Sequence, residues 1–437
     1  MQNHRSVGRI AAVAAVGVAV LALGACGDDD GAATPTTSSV ASPASAPGAL
    51  TVVQDDLDAE LAGVLAAATQ QGHDEISASG AIVGVRTPDG EWIATVGTSE
   101  LEGDQPMTVD MHQRIGSVSK TFTVTLLLQL AQDGLLSMDD PIEQHVPGTT
   151  NPQATLGQLA AMRSGIPSYT TTEAFADAFF ADPDRQWRPE ELVALVDGAE
   201  PLFAPGEAWN YSNTNLVLLG MVVEQVSGRP IDDLVAERVA GPLGLDGTSM
   251  PVGAAFPDPH ARGVTVQGQD DRVPVDTTDW NPSWAWTAGG MISTVDDLLT
   301  YGRELVVGEV LLDADTQAAR IASMETMGEA AGPDHDYGWG LQQANGWWGH
   351  TGELPGYNSF VYHHMAEDLT VVVLVNSDIK SGDCTGDAAS LTVPGGRTTG
   401  PCLDPAVHLA DLVTAALGYP GNPGDLGSSG PSVTAGS

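Results

Sequence analysis

The stretch "QRIGSVSKTFTVTLLLQLAQDG" (113–134) decides how this chain is read. From Ser119 onward it is apolar or threonine on nearly every side and stops at Gly134, which predicts a long helix buried almost all round. Inside it stands Lys120, one of only two lysines in 437 residues, three positions after Ser117. Residues three apart share a helix face. Burial disfavours an ammonium and favours the neutral amine, and a neutral amine can take the serine proton and make a nucleophile. The unpaired N–H groups at the helix start, that of Ser117 included, can face the oxyanion formed on attack. The competing reading is a serine N-cap followed by a surface lysine, but "TFTVTLLLQL" offers no polar face for that lysine.

Outward from this helix, "LDAELAGVLAAATQQG" (57–72) has helical apolar spacing, and "AIVGVRTPDGEWIATVG" (81–97) reads as a hairpin around Pro88-Asp89-Gly90. "TNLVLLGMVVEQVSG" (214–228) is a further helix. "NSFVYHH" (358–364) and "LTVVVLVNS" (369–377) are strands, followed by the helix "DPAVHLADLVTAAL" (404–417). Strands come from both ends of the chain and helices from the middle. The predicted class is therefore α+β: an antiparallel sheet of N- and C-terminal segments flanked by helices, with a mainly helical subdomain.

With 57 acidic against 16 basic residues the net charge is −41, a field that repels nucleic acid and anionic membrane surfaces. The start "MQNHRSVGR" and the apolar run 10–25 have the form of a secretory signal, too short for a membrane span. Leu23-Gly24-Ala25-Cys26 resembles a bacterial lipobox. The expected division is a lipoprotein signal over 1–25, a Ser/Thr/Pro-rich tether over 26–49 beginning at a lipidated Cys26, one folded domain over 50–418 and a disordered tail over 419–437. The protein would then sit on the outer face of a bacterial cytoplasmic membrane, held by lipid alone, as a monomer. In that oxidising compartment Cys384 and Cys402 are expected to pair, contributing about 3 kcal/mol against the unfolded state.

Two further constellations carry chemistry. Tyr211-Ser212-Asn213 lies in "PGEAWNYSNTN", a turn-rich stretch before a helix. Beside a lysine ammonium the tyrosine's phenolate is favoured and can relay protons, and Asn213 can address substrate while holding the lysine. Packing of the tyrosine and capping by Asn213 is the plainer alternative. His350-Thr351-Gly352 in "WWGHTGELPGYNSF" is placed just ahead of a strand, where small residues let a substrate backbone pair as an extra strand. Gly352 keeps that approach open, and His350 alone reads equally as a structural histidine.

S-x-x-K, Y-S-N and H-T-G in this order form a serine acyl-transfer set. The chain here resembles the β-lactamase-related serine hydrolases: class C β-lactamases, D-alanyl-D-alanine carboxypeptidases and family esterases. It looks most like the actinobacterial H-T-G carboxypeptidases. Connecting text such as "FAPGEAWNYSNTNLVLLG", "WTAGGMISTVDDLLTYG" and "YGWGL" shares the likeness, which runs from Gly80 to Leu417. The resemblance implies Ser117 as acylated nucleophile, Lys120 and Tyr211 as its proton-handling partners, and an oxyanion hole of the Ser117 and Glu353 N–H groups. Asn213, His350, Thr351, Gly352 and Trp284 fall in its substrate-contacting set. It implies no metal and no cofactor.

Two departures bear on substrate. Glu353 follows H-T-G where carboxypeptidases often have a hydroxyl residue, and Gln342 follows "YGWGL" where some carry an arginine that meets the substrate carboxylate. Both changes weaken recognition of an anion. Met162, where relatives often have histidine, is read as structural. The expected function is a lipid-anchored serine hydrolase working through an acyl-enzyme on Ser117, D-Ala-D-Ala carboxypeptidase-like, with peptidoglycan stem peptide as a possible substrate. The alternatives are an esterase or D-amino-acid amidase or peptidase for uncharged or cationic substrates and, further off, a β-lactamase or a non-catalytic penicillin-binding sensor.

Overall fold

The computed structural model describes residues 48–328, 335–396 and 400–419. The signal segment, Cys26, the tether up to 47 and the tail from 420 lie outside the described residues, all of which belong to one unit, Ser45–Ser437.

The strands of the main sheet are β1 (Gly48–Asp55), β2 (Gly80–Thr87), β3 (Gly90–Gly97), β4 (Glu325–Thr326), β5 (His335–Tyr337), β6 (Gln342–Ala344), β7 (Trp347–Leu354), β8 (Tyr357–His364) and β9 (Leu369–Val375). They form one antiparallel sheet in the order β1-β3-β2-β9-β8-β7-β6-β5-β4. The chain's two ends therefore meet at the β2–β9 pair, where Val83 lies opposite Val373. The α+β expectation holds, with the sheet built from both ends.

Alternation sorts the central strands into two cores. Ala81, Val83 and Val85 of β2 and Val371, Val373 and Val375 of β9 pack under α1 (Ala59–Glu75) and the C-terminal helix Pro405–Ala416. The intervening Ile82, Val372 and Leu374 face a larger core. That core contains α2 (Ser119–Gln132), α3 (Asn213–Ser227) and α4 (Val295–Val307); the C-terminal helix is α5.

α2 is buried from Ser119 to Leu130. Its threonines tolerate this because their hydroxyls return to backbone carbonyls: Thr121 to Val118, Thr125 to Thr121, Thr123 to Thr287, at 2.7–2.8 Å.

Two local readings change. β1 begins at Gly48, inside the stretch assigned to the tether. It is an edge strand paired only with β3 and mostly exposed, so it has no alternation to reveal it. His350-Thr351-Gly352 does not precede a strand but lies inside β7. The Cys384–Cys402 disulfide is present.

Candidate active site

Just ahead of α2 the chain makes one 3-10 turn, Gly116–Val118, that runs into the helix. Gly116 has φ +51°, and a Cβ there would lie 2.5 Å from the Glu353 nitrogen, so the position requires glycine. The turn is pinned from both sides. Ile115 N donates to Met291 O at 3.0 Å, and Ser359 Oγ donates to Ile115 O at 2.8 Å. Ser119 Oγ donates to Gly116 O at 2.7 Å and accepts from Met291 N at 3.1 Å. Between buried neighbours on either side, Ser117 alone stays partly exposed.

Lys120 is fully buried, and its Nζ lies 2.8 Å from Ser117 Oγ and 2.6 Å from the Ala288 carbonyl oxygen. Among the described residues no carboxylate pairs with it, and burial holds its pKa well below the ordinary lysine value. A carbonyl oxygen can only accept, so the amine donates to Ala288 and its lone pair remains for the Ser117 hydroxyl proton. The lysine is thus set up as the base.

Tyr211 lies beside both. Its hydroxyl interacts electrostatically with Ser117, and its ring centroid is 4.8 Å from Lys120 Nζ. Burial raises its pKa, and the Glu353 charge adds to the rise. The favoured phenolate expected from sequence is therefore corrected: Tyr211 remains a phenol, suited to passing a proton and not to starting as the base.

His350 is buried in β7. Nδ1 donates to the Thr351 carbonyl at 2.5 Å, which leaves Nε2 to accept from the Tyr337 hydroxyl at 3.0 Å. Burial pushes its pKa down to about 3. The imidazole is neutral and orients Tyr337 at the rear of the site, so its expected contact with substrate is replaced by a supporting one. Thr351 remains partly exposed on the same strand.

Other residues take on packing roles as well. A Cβ on Gly352 would come 2.0 Å from Ile115 O, so the glycine lets the Ser117 turn lie against β7. Asn213 donates from Nδ2 to Thr170 Oγ1 at 3.1 Å, and the lysine-holding role expected of it falls to the Ala288 carbonyl. Trp284 is buried among Phe175 and Phe179, with ring centroids at 5.5 and 5.1 Å, and belongs to a core aromatic cluster. Gln342 is buried, and its Oε1 accepts from the Tyr362 hydroxyl, so the amide is not presented to substrate. Met162 is structural: its sulfur accepts from Ser212 N at 3.4 Å.

Glu353 is partly exposed beside the Ser117 turn. Its Oε2 is 3.6 Å from Nζ of Lys380, the chain's other lysine, which also pairs with Asp404. Burial raises the Glu353 pKa, Lys380 opposes that, and Asp404 and Asp378 add to it. Sequence reasoning assigned no role to Ala288, Tyr337 or Lys380. Lys380 carried a signal in its rarity, and Tyr337 and Ala288 lie in the stretches "YGWGL" and "WTAGG" that share the family likeness.

A protein-family model described as Beta-lactamase matches residues 65–391. Penicillin-binding protein 4* of Bacillus subtilis (strain 168) is 24% identical over 298 residues, 64% of each chain. A D-aminopeptidase of Cereibacter sphaeroides is 28% identical over 306 residues, 68% of this chain and 57% of its own. The chain thus spans under two thirds of the length of these two curated relatives. The crystal structure of a D-stereospecific amidohydrolase from Streptomyces sp. superposes with a TM-score of 0.65 at 33% identity, covering 74% of this chain and 96% of the other. With a family model matched over residues 65–391, the chain belongs to the beta-lactamase family.

Proposed function

We propose that this chain is an amidohydrolase that cleaves amide or peptide bonds of D-amino-acid derivatives through an acyl-enzyme on Ser117. The observation that carries the mechanism is the Lys120 amine, buried without a counter-ion 2.8 Å from Ser117 Oγ. Lys120 takes the serine proton as Oγ attacks the carbonyl. The Ser117 and Glu353 N–H groups, brought to one junction by Gly116 and Gly352, receive the oxyanion. As the tetrahedral intermediate collapses, the proton reaches the leaving nitrogen through the Tyr211 hydroxyl. Water then repeats the sequence on the ester, with Oγ leaving.

The choice of D-amino-acid amides over D-Ala-D-Ala termini rests on charge. A terminal carboxylate needs a cation, yet each arginine among the described residues is already bonded to a carboxylate, hydroxyl or backbone oxygen. Lys380 is covered by Glu353 and Asp404. The similarity to a D-stereospecific amidohydrolase supports the same reading. The likeness to penicillin-binding protein 4* favours the carboxypeptidase as a second reading.

The test is hydrolysis of D- and L-alanine p-nitroanilide and of a D-Ala-D-Ala peptide, with intact-mass detection of the acyl-enzyme. Turnover of the D-anilide, lost in Ser117→Ala with the fold retained, is expected. Cleavage of the dipeptide terminus alone would move the assignment to the carboxypeptidase, and activity surviving in Ser117→Ala would end the mechanism. We further propose that the enzyme works outside the cell on a Cys26 lipid anchor, checked by the mass of the Cys26-containing N-terminal peptide from membranes.

A further inference from the structure

The Glu353 N–H that receives the oxyanion is one end of a planar peptide unit whose other end is the Gly352 carbonyl. The two ends point opposite ways, so whatever holds the carbonyl also aims the N–H. Gly116 abuts the Glu353 nitrogen, and β6 pairs with β7 only at Trp347–Gly349, so β6 stops short of that N–H. The carbonyl has a side-chain partner: Asn358 Nδ2 donates to Gly352 O at 3.3 Å. Asn358 stands opposite Glu353 in the β7–β8 register, so its side chain lies on the Glu353 face of the sheet, the reverse of the face on which Gly352 meets Ile115. It is buried, and its amide cannot turn over. Oδ1 accepts from Ala406 N at 2.8 Å, the first N–H of α5 because Pro405 has none, so the donor end must face Gly352. Asp404, at the cap position of α5, makes no capping bond and pairs with Lys380 instead. Asn358 supplies the cap from the neighbouring strand and turns its donor toward the oxyanion peptide.

We propose that Asn358 is a positioning residue for the reaction: anchored on the first turn of α5, it holds the Gly352–Glu353 peptide so that the Glu353 N–H stays aimed at the oxyanion. This rests on the acyl-enzyme reading of Ser117 above and adds to it a residue that acts from the far face of β7, through the backbone. A peptide rocking between its flanking Cα atoms swings its N–H and its carbonyl together, and the Asn358 bond opposes that swing. The bond also responds to the chemistry. As negative charge develops at the N–H, the peptide polarises and its own carbonyl oxygen becomes a better acceptor, so hydrogen bonds on its two ends strengthen each other. The contact is therefore stronger in the transition state than before attack, which is the condition for raising kcat.

The experiment measures kcat and KM for a nitrophenyl ester, and the inhibition constant of phenylboronic acid, whose boron bonds to Ser117 Oγ and sets an oxygen in the oxyanion hole. Asn358→Ala removes the donor. Its kcat should fall about tenfold or more with KM little changed, and the boronic acid should bind more weakly by a similar factor. Asn358→Asp keeps an acceptor for Ala406 N but can donate to Gly352 O only when protonated, so its activity relative to wild type should rise as pH is lowered. A residue that merely caps α5 would lower the thermal midpoint and leave kcat, inhibition and the pH ratio unmoved. Variants that keep kcat and the inhibition constant within about threefold of wild type, at a ratio independent of pH, overturn the proposal and leave the acyl-enzyme in place. A wild-type enzyme without Ser117-dependent ester turnover removes the acyl-enzyme reading and this proposal with it. If Asn358→Ala fails to fold, the pH profile of Asn358→Asp decides.

Discussion

The contact between Gly352 and Ile115 allows a quantitative test of how the nucleophile is placed. A Cβ at position 352 would lie 2.0 Å from Ile115 O and 2.4 Å from Ser359 Oγ. Real Cβ contacts under 3.0 Å essentially do not occur, so Gly352→Ala must move β7 and the Ser117 turn apart by about 1 Å. The same motion strains the 2.8 Å bond from Ser359 to Ile115. The turn carries the Ser117 N–H and β7 carries the Glu353 N–H, so the shift opens the oxyanion hole across its width. A misplacement of about 1 Å corresponds to about a 10²-fold loss in rate, and loss of one oxyanion donor to about 10²–10³. Overpacking should cost about 1–3 kcal/mol of stability. With an activated ester, kcat and kcat/KM should fall together by about 10²-fold, since the lost interaction exists only in the transition state. Ser359→Ala is the control: it removes the hydrogen bond but inserts nothing, and should cost about 1 kcal/mol and only a few-fold in rate. A Gly352→Ala enzyme that folds and keeps kcat within threefold of wild type would refute the assignment of this junction to the oxyanion.

Other consequences are equally direct. Tyr211→Phe keeps the ring beside Lys120 but loses the hydroxyl on Ser117; amide hydrolysis should fall about 10²–10⁴-fold, and a nitrophenyl ester, whose leaving group needs no proton, should lose much less. Equal losses would remove Tyr211 from leaving-group protonation. Burial pushes the His363 pKa down to about 4 from 6.5, so the unfolded chain binds its proton first and stability is lost as pH falls below 6.5. From pH 7.5 to 5.5 this term takes about 1.4 kcal/mol from the wild type and nothing from His363→Gln, so their difference in urea midpoint should shift in the variant's favour. Buried carboxyls such as Asp378, raised to about 6, act in the opposite direction but cancel in the comparison. Cys384→Ser with Cys402→Ser opens a loop of 18-residue separation and should cost about 3 kcal/mol, seen as a lower thermal midpoint; an unchanged midpoint would show that the loop adds nothing to stability.

What could be read in advance was local. Ser117 and Lys120 are three residues apart, so helical geometry alone brings them together. The hairpin and the strands Tyr357–His364 and Leu369–Val375 announce themselves by β-rich composition. β7 was hidden because Gly349 and Gly352 interrupt it, and glycine is a poor strand former. The second partner of Lys120 could not be found either. Ala288 is 168 positions away and contributes a backbone oxygen, which leaves no mark on side-chain identity. Gln342 shows the opposite error. Its position in the chain suggested a role toward substrate, but Tyr362 claims its amide.

The rarity of lysine in this chain fits what the two survivors do. Arginines outnumber lysines seven to one, 14 of the 16 basic residues, so the composition has no general use for an ammonium. At position 120 arginine would fail: a guanidinium does not surrender its proton at any working pH and so cannot accept one from serine. Only an amine whose pKa falls on burial meets that demand, and the site supplies burial with no carboxylate to counteract it. Lys380 is nearly as buried but lies between Glu353 and Asp404, which raise its pKa and keep it charged. The same side chain is thus held neutral beside the nucleophile and cationic behind the carboxylate. Exchanging their surroundings, by placing an acid next to Lys120, would turn the base into a salt bridge. A substitution such as Ala288→Asp should therefore abolish turnover even where Ser117 and Lys120 keep their positions, because the proton that Ser117 must lose would already be on the amine.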